Sequence, residues 1–382
     1  MTAPAPEGTL APVTDLPPFW AWYHRVREHF APPFFALSLT AHLLIRDFHS
    51  PWLLVAWGAM GMGFVTAGDV RWPPRWVIVG MAALLFFQFL AAAGSILWGS
   101  GQWVRTMGIA GWGAPLALFA FAPRGERILP WMIPTVAVHA IIVASGLISP
   151  ANHEIYQFAR IRSGLTLNPN IGAGLLVIGI VYLVHRGRWG LVFAGLLFVA
   201  LLFTGSRWAL LVAMGVSTLM LLPRQKHWSS RIGILAALTL IIALLLTVPA
   251  LGAQQWRTVA PDLSTRLLIP SSSLMGLPRG VIGTSGLHNV PLRIIAEDGI
   301  FAGIIWLGLT GWALTRQPGS STWWVLITVV LLGMLDYYVW MGHLGGVWWL
   351  TIGILCQAQL KTSTPAPPAG YRRPRSLVFF GP

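Results

Sequence analysis

Apolar residues run through this chain in long, nearly unbroken stretches, and short polar clusters separate them. Stretches of roughly 17–25 apolar residues predict membrane-spanning helices, since about 20 residues of helix cross a bilayer core. About twelve spans are expected, at 30–46, 51–67, 75–98, 103–122, 129–148, 170–185, 189–204, 206–222, 232–250, 291–313, 321–336 and 343–359. The fold class expected is therefore an all-α polytopic membrane protein.

The polar punctuation is uneven. On one side of the expected bundle the connections are tight turns such as "PRGER" (123–127) and "HRGR" (185–188). On the other side lie two long loops, 149–169 and 251–290, the second between spans 9 and 10. Its segment "DLSTRLLIPSSSLMGLPRGVIGTSGLHN" (262–289) is too polar to span and too apolar to float freely. It is expected to be partly helical and to lie at the membrane surface over the transmembrane cavity. Loops held by a rigid scaffold concentrate function. Residues 1–29 read as a cytoplasmic N-terminal segment, 30–359 as the transmembrane domain, and 360–382 as a disordered basic tail. That tail carries "YRRPR" (371–375), suited to an anionic inner leaflet. Residues 1–18 are Pro-rich and polar with no apolar core, so no signal peptide is expected there.

Composition excludes a soluble domain: 9% of residues are charged, 55% are hydrophobic, and the mean hydropathy is +0.69. The single cysteine, Cys356, excludes an internal disulfide and a cysteine metal site. The net charge of +14 changes the picture more, because its distribution sets the topology. With the N-terminus cytoplasmic, 16 of the 25 Lys and Arg residues fall inside and 9 outside, as the positive-inside rule requires. Both termini then face the cytoplasm. Both lysines are inside, and the outside nine are all arginine: Arg46, Arg105, Arg160, Arg162, Arg207, Arg257, Arg266, Arg279 and Arg293. Arginine keeps its charge and grips phosphate with a planar fork of donors. An anionic ligand at the outer face is the functional reading of this set, and lipid headgroup contact is the alternative. Topology and these arginines account for the charge, and no nucleic-acid motif is present.

Three helix starts fall at the outer ends of spans that run inward. "LNPN" (167–170) offers Asn168 as N-cap and Pro169 in the first helical position. "TGSR" (204–207) offers Ser206 as cap and Arg207 as the first helical residue. "HNVP" (288–291) offers Asn289 as cap and Pro291 in the first turn. Each presents unpaired backbone N–H groups and the positive end of a helix dipole, which bind phosphate readily. Capping alone would account for Asn168 and Ser206. It does not account for Arg207 or His288.

At this point the residues resemble a family. "GLTLNPNIGAG" (164–174), "LFTGSRWALL" (202–211), Arg266 in "STRLL" and "HNVPLRIIAEDG" (288–299) occur in the order seen in the O-antigen ligase and O-antigen polymerase superfamily. His288 and Asn289, followed by nine residues and Gly299, look like the ligase signature, and "LDYYVWMGHLGGVWW" (335–349) is similar to the family's last helices. Residues 160–300 carry most of the resemblance. The chain departs from the pattern at Ala302, where the family commonly has glycine; Gly303 follows.

The resemblance implies a GT-C-like integral membrane glycosyltransferase at the outer face of a bacterial plasma membrane. Its donor would be a glycan on a polyprenyl diphosphate, usually undecaprenyl. The acceptor would be lipid A core, another repeat unit or a protein side chain. No metal and no cofactor are implied, and the chain has no D-x-D motif.

In such a reaction the departing diphosphate must be met by fixed positive charge. Arg207 and Arg266 are the first candidates, with Arg160, Arg162 and Arg279 behind them. Asn168, Asn170, Ser206 and Asn289 would complete the substrate-binding mouths. His288 suits a general base near neutral pH for the acceptor hydroxyl. A single displacement would invert the anomeric centre. Arg293 and Glu297, four apart on one helical face, are expected to pair, which makes Glu297 structural. Gly299 and Gly303 are expected to let another helix approach closely. His42 and His139 are expected to make interhelical hydrogen bonds. The reading from another class is a transporter or flippase for an anionic lipid-linked sugar. It would carry repeat symmetry and ionisable groups near mid-membrane.

Overall fold

The computed structural model describes residues 18–44, 51–68, 70, 72–97, 115–123, 125–146, 164–166, 169–247, 289–335 and 344–362. Among the described residues the chain is helical throughout, with no strand. The helices are α1 Pro18–Leu44, α2 Pro51–Ala67, α3 Arg75–Leu97, α4 Ile128–Ser145, α5 Pro169–Val184, α6 Arg188–Leu202, α7 Arg207–Leu221, α8 Trp228–Thr247, α9 Val290–Asp298, α10 Ile300–Leu314, α11 Ser321–Leu335 and α12 Gly345–Thr362. Short 3-10 turns at Leu118–Phe121, Gly125–Arg127, Gly164–Thr166 and Leu222–Arg224 complete them.

Helix α5 is the axis of the bundle. From Ile171 to Tyr182 each of its residues is buried. It packs against α4, α6, α7 and α11. Glycines permit close approaches to this helix. A Cβ at Gly179 would lie 2.6 Å from Val136 of α4, and one at Gly174 would lie 2.7 Å from Leu344. A second unit pairs α1 with α2, where the Ser38 hydroxyl donates to the Ala56 carbonyl at 2.6 Å and the Phe35 ring meets Phe64 edge-on. Helix α3 lies along α9 and α10, and α12 closes the bundle against the Leu118–Phe121 turn.

The outer surface is apolar. Leu54, Val65, Val79, Phe89, Ile141, Leu196, Leu219 and Ile304 are all exposed. So many exposed large apolar side chains are compatible with a helical membrane protein. Gly125–Ser145 is long and apolar enough to cross a membrane, and eight further apolar helices of 10–17 residues are shorter than that criterion.

Several expectations are corrected. Helix α1 begins at Pro18 and not near residue 30, and it carries Pro32 and Pro33 in its interior. The expected span 291–313 is two helices, broken at Gly299, whose φ of 94° lies in the left-handed half of backbone space that glycine tolerates. Gly303 does not admit a separate helix: a Cβ there would fall 2.4 Å from Ile295, across the bend, so its small size lets α9 fold down on α10. The His42 ring bonds within its own helix, to the Ser38 carbonyl at 2.8 Å. The expected span 103–122 lies largely outside the described residues, as do the segment 262–289, the loop 149–163 and the tail 363–382.

Candidate functional site

The starts of α5, α7 and α9 gather at one end of the bundle. Tight turns between α5, α6 and α7 make α5 and α7 parallel, and the two pack together. Helix α11 touches both, and Gly174 near the start of α5 lies beside Leu332 near the end of α11. Helix α9 also starts at that end of α11, where Asn289 reaches the Met334 carbonyl. Three positive helix ends therefore surround the C-terminus of α11.

Each start is fixed by local chemistry. Asn289 is a true N-cap: its Oδ1 accepts from the Leu292 backbone N–H at 3.1 Å, its backbone is extended, and Pro291 occupies the first turn. Its Nδ2 donates to the Met334 carbonyl at 2.9 Å, which bolts α9 to α11. Asn289 is buried.

Ser206 occupies the N-cap position of α7, but its side chain makes no capping bond, a correction to the expected role. The turn is held two residues earlier. The Thr204 hydroxyl donates to the Leu201 carbonyl at 2.7 Å and accepts the Ser206 N–H at 3.3 Å, while Gly205 takes a positive φ of 65°. Arg207, the first residue of α7, is half-buried at this mouth. Pro169 opens α5 as expected, with Asn170 half-buried in its first turn.

A residue that sequence reasoning placed only as a helix-to-helix contact supports the α5 mouth. His139 of α4, fully buried, accepts the Leu165 N–H at its Nδ1 at 3.1 Å. It thereby holds the Gly164–Thr166 turn that leads into Pro169. That bond fixes a neutral tautomer with its proton on Nε2. Thr204 and Met334 were missed altogether. The "TGS" turn could have pointed to Thr204; a backbone carbonyl such as Met334's leaves no mark in a sequence.

The buried pair expected on α9 is present. The Arg293 Nε donates to Glu297 Oε1 at 2.7 Å, and both side chains are almost fully enclosed. Arg293 is thus engaged in structure, and of the nine expected outer arginines only Arg207 and Arg293 fall among the described residues. Asp298, next along, is also buried. His288, Arg266, Arg160, Arg162, Arg279 and Asn168 lie outside the described residues.

The opposite end of the bundle is basic. Arg224 donates to the Val184 carbonyl and to His185 Nδ1, both at 2.9 Å, and so ties the end of α7 to the end of α5. Partial burial, aided by the neighbouring Arg224 and Arg186 charges, lowers the His185 pKa. Arg186 lies over the Tyr182 ring. No grouping of three or more His, Cys, Asp or Glu residues that could hold a metal occurs among the described residues.

Taken together, the described residues at the α11 end present helix dipoles, the Asn289 cap and Arg207, an arrangement suited to an anion. No protein-family model and no curated protein matches the chain.

Proposed function

We propose that this chain is an integral membrane glycosyltransferase of the O-antigen ligase type, with about twelve spans in a GT-C-like arrangement. It transfers a glycan from a polyprenyl diphosphate to an acceptor hydroxyl at the outer face of a bacterial plasma membrane. The observation that carries the reading is the convergence of three helix N-termini, opened by the "LNPN", "TGSR" and "HNVP" motifs, around the end of α11. Backbone N–H groups and Arg207 supply the positive potential a leaving diphosphate requires. Arg266 from the 251–290 loop completes the clamp, with Arg160, Arg162 and Arg279 in support.

His288 immediately precedes Asn289, whose two side-chain bonds fix the position of the α9 mouth. From there the imidazole accepts the proton of the acceptor hydroxyl as that oxygen attacks the anomeric carbon and the diphosphate departs with its bonding pair. Arg293 and Glu297 serve structure, since they neutralise each other within α9. The apolar outer surface supports the membrane setting.

Deleting the gene and examining lipid-linked and surface glycans tests the reading. Completed chains stranded on the lipid carrier are the result expected of a ligase. A single repeat unit on the acceptor would instead make the enzyme a polymerase of the same superfamily, and stranded glycan with loss of a glycoprotein would make it a protein glycosyltransferase. Unchanged pools of both glycans would contradict the proposal.

One observation favours the second reading, a transporter or flippase for an anionic lipid-linked sugar. Helix α9 ends after nine residues at a buried cluster of Arg293, Glu297 and Asp298, and transport proteins place broken helices and ionisable groups in that way. Glycan transfer by the purified protein, with donor and acceptor on one side of the membrane, separates the two.

A further inference from the structure

Two turns at the basic end of the bundle have no part in the transferase reading. One, at 185–187, joins α5 to α6, and the other, at 222–227, joins α7 to α8. Hydrogen bonds draw them together. Arg224 bonds to the Val184 carbonyl and to His185 Nδ1, each at 2.9 Å, and the Arg231 Nε donates back to the Gln225 carbonyl at 3.0 Å. The first turn of α6 closes tightly on α5, since a Cβ at Gly190 would collide with the Leu183 carbonyl oxygen. Arg186, Arg188, Arg224, Lys226 and Arg231 thus share one patch, with Arg231 half-buried and the others exposed.

The charge of this patch is unbalanced. The sequence has no Asp or Glu from 155 to 261. No carboxylate pairs with any of these five cations among the described residues. Arg224 and Arg186 serve the fold, the first on the carbonyl end of α5 and the second against the Tyr182 ring. The other three stand where the fold alone would not favour them. Arg188 is the first residue of α6, Arg231 closes the first turn of α8, and Lys226 lies just ahead of α8. A helix starts at the positive end of its dipole, where acids are favoured and cations are not. Neither α6 nor α8 has an acid in its first turn, and Gly187 gives α6 no capping side chain. Cations set on positive helix ends call for an anion from outside the chain.

The surroundings identify the carrier of that anion. Trp189 is 67% exposed and Trp228 is 74% exposed. Each indole lies beside the arginine of its own turn, Arg188 at 5.9 Å and Arg231 at 5.5 Å. Tryptophans of this kind sit at the headgroup level of a bilayer, with an apolar body and a polar edge. Beyond them α6 exposes Phe193 and Leu196, and α8 exposes Ile232 and Leu235. A free anion makes no use of such apolar flanks, whereas the acyl chains of a lipid do.

We infer that the two turns form a binding site for an anionic phospholipid, whose headgroup phosphate is held by Arg188, Lys226 and Arg231 over the starts of α6 and α8. The planar fork of arginine suits phosphate oxygens, and basic pockets between membrane helices hold lipid headgroups in this way. On the proposed topology the lipid belongs to the cytoplasmic leaflet. The inference rests on the proposed membrane setting but not on glycan transfer, so a failed transfer assay leaves it standing.

The test uses the purified, delipidated full chain in detergent. Phosphatidylglycerol, phosphatidylcholine or sodium phosphate is added, bound lipid is counted by native mass spectrometry, and the melting temperature is followed in parallel. The expected result is saturable binding of phosphatidylglycerol with a rise in melting temperature, and a much weaker response to phosphatidylcholine. Arg188 and Lys226 make no hydrogen bond through their side chains among the described residues, so replacing them spares the fold. Arg188→Gln and Lys226→Gln should each raise the half-saturating concentration roughly fivefold, the worth of one cation near a membrane surface. Arg75→Gln removes the same charge from the start of α3, which packs on α9 and α10, and should leave binding unchanged. Equal binding of the two lipids by the wild-type protein overturns the proposal. So does undiminished phosphatidylglycerol binding when Arg188→Gln and Lys226→Gln are combined, or an equal loss in Arg75→Gln. The same melting response to sodium phosphate alone would make the occupant a free anion and overturn the lipid assignment.

Discussion

Asn289 and Met334 join two helices whose sequence positions are 45 residues apart. The Asn289 amide donates to the Met334 carbonyl at 2.9 Å while its oxygen caps α9 at the Leu292 N–H. The amide serves both ends of this arrangement with two different atoms, one acceptor and one donor. Asn289→Ala loses a cap and a buried hydrogen bond, about 1 kcal/mol each, so a loss of about 2 kcal/mol is expected. Asn289→Asp keeps a capping oxygen but turns a carboxylate oxygen on the Met334 carbonyl in a buried site, so it should recover little of the loss. Denaturation of the purified variants in detergent measures both, and an Asn289→Ala protein as stable as wild type would show that the α9–α11 link carries no weight.

Arg207 opens α7 at the convergent end of the bundle. Arg207→Ala should cost far more transfer activity than Arg46→Ala, and Arg266→Ala should match the larger loss. Arg207→Lys should rescue little, because a lysine point charge does not reproduce two-pronged phosphate contact. Equal and mild losses at all three positions, in a transfer assay on membranes, would assign these arginines to lipid headgroups.

The proposed topology has 251–290 outside and both termini in the cytoplasm. A cysteine introduced at position 264 in a Cys356→Ala background should react with an impermeant thiol reagent from the outside only. Removing Cys356 is tolerable in such a background because it is a single buried thiol with no disulfide. Labelling of position 264 from the cytoplasmic side alone would remove the diphosphate clamp from the outer face.

His185 makes a prediction about pH. Its pKa is lowered by partial burial first, and then by Arg224 and Arg186. A lowered pKa in the folded state means that the unfolded chain binds the proton more readily below its ordinary value near 6.5. Stability should therefore fall as pH drops from above 6.5 towards the folded-state pKa, as the Arg224–His185 contact takes on two like charges. His185→Asn should flatten that part of a melting curve taken from pH 7.5 to 5. A wild-type and variant pair with parallel pH dependence would contradict it.

Much of this architecture was legible in the apolar stretches. The expected spans 51–67, 75–98 and 321–336 agree with α2, α3 and α11 to within a residue or two at each end. Pro169, Arg207 and Asn289 marked helix starts because the chemistry of a first turn is local. The break at Gly299 was hidden because the strongly apolar stretch from Ile300 follows directly on the helix opened at Asn289, and hydropathy does not register backbone direction. "EDG" held the clue, since two acids ahead of a glycine end a helix more readily than they continue one. Helix α1 begins ahead of the expected span because Arg25, Arg27, Glu28 and His29 lie outside the apolar stretch, and packing along α2 sustains the helix past Pro32 and Pro33. His139 and Thr204 act through bonds to backbone atoms brought near only by the fold.

The proposed transferase rests on His288 as the base, and one measurement reaches it directly. Purified His288→Ala protein, reconstituted with a polyprenyl diphosphate glycan and an acceptor, should bind the donor as wild type does, because the arginines remain. Its rate of glycan transfer should fall by roughly a hundredfold to ten-thousandfold, the worth of a general base. His288→Gln, which keeps a hydrogen bond but takes up no proton, should be nearly as slow. Transfer by His288→Ala at close to the wild-type rate would contradict the account.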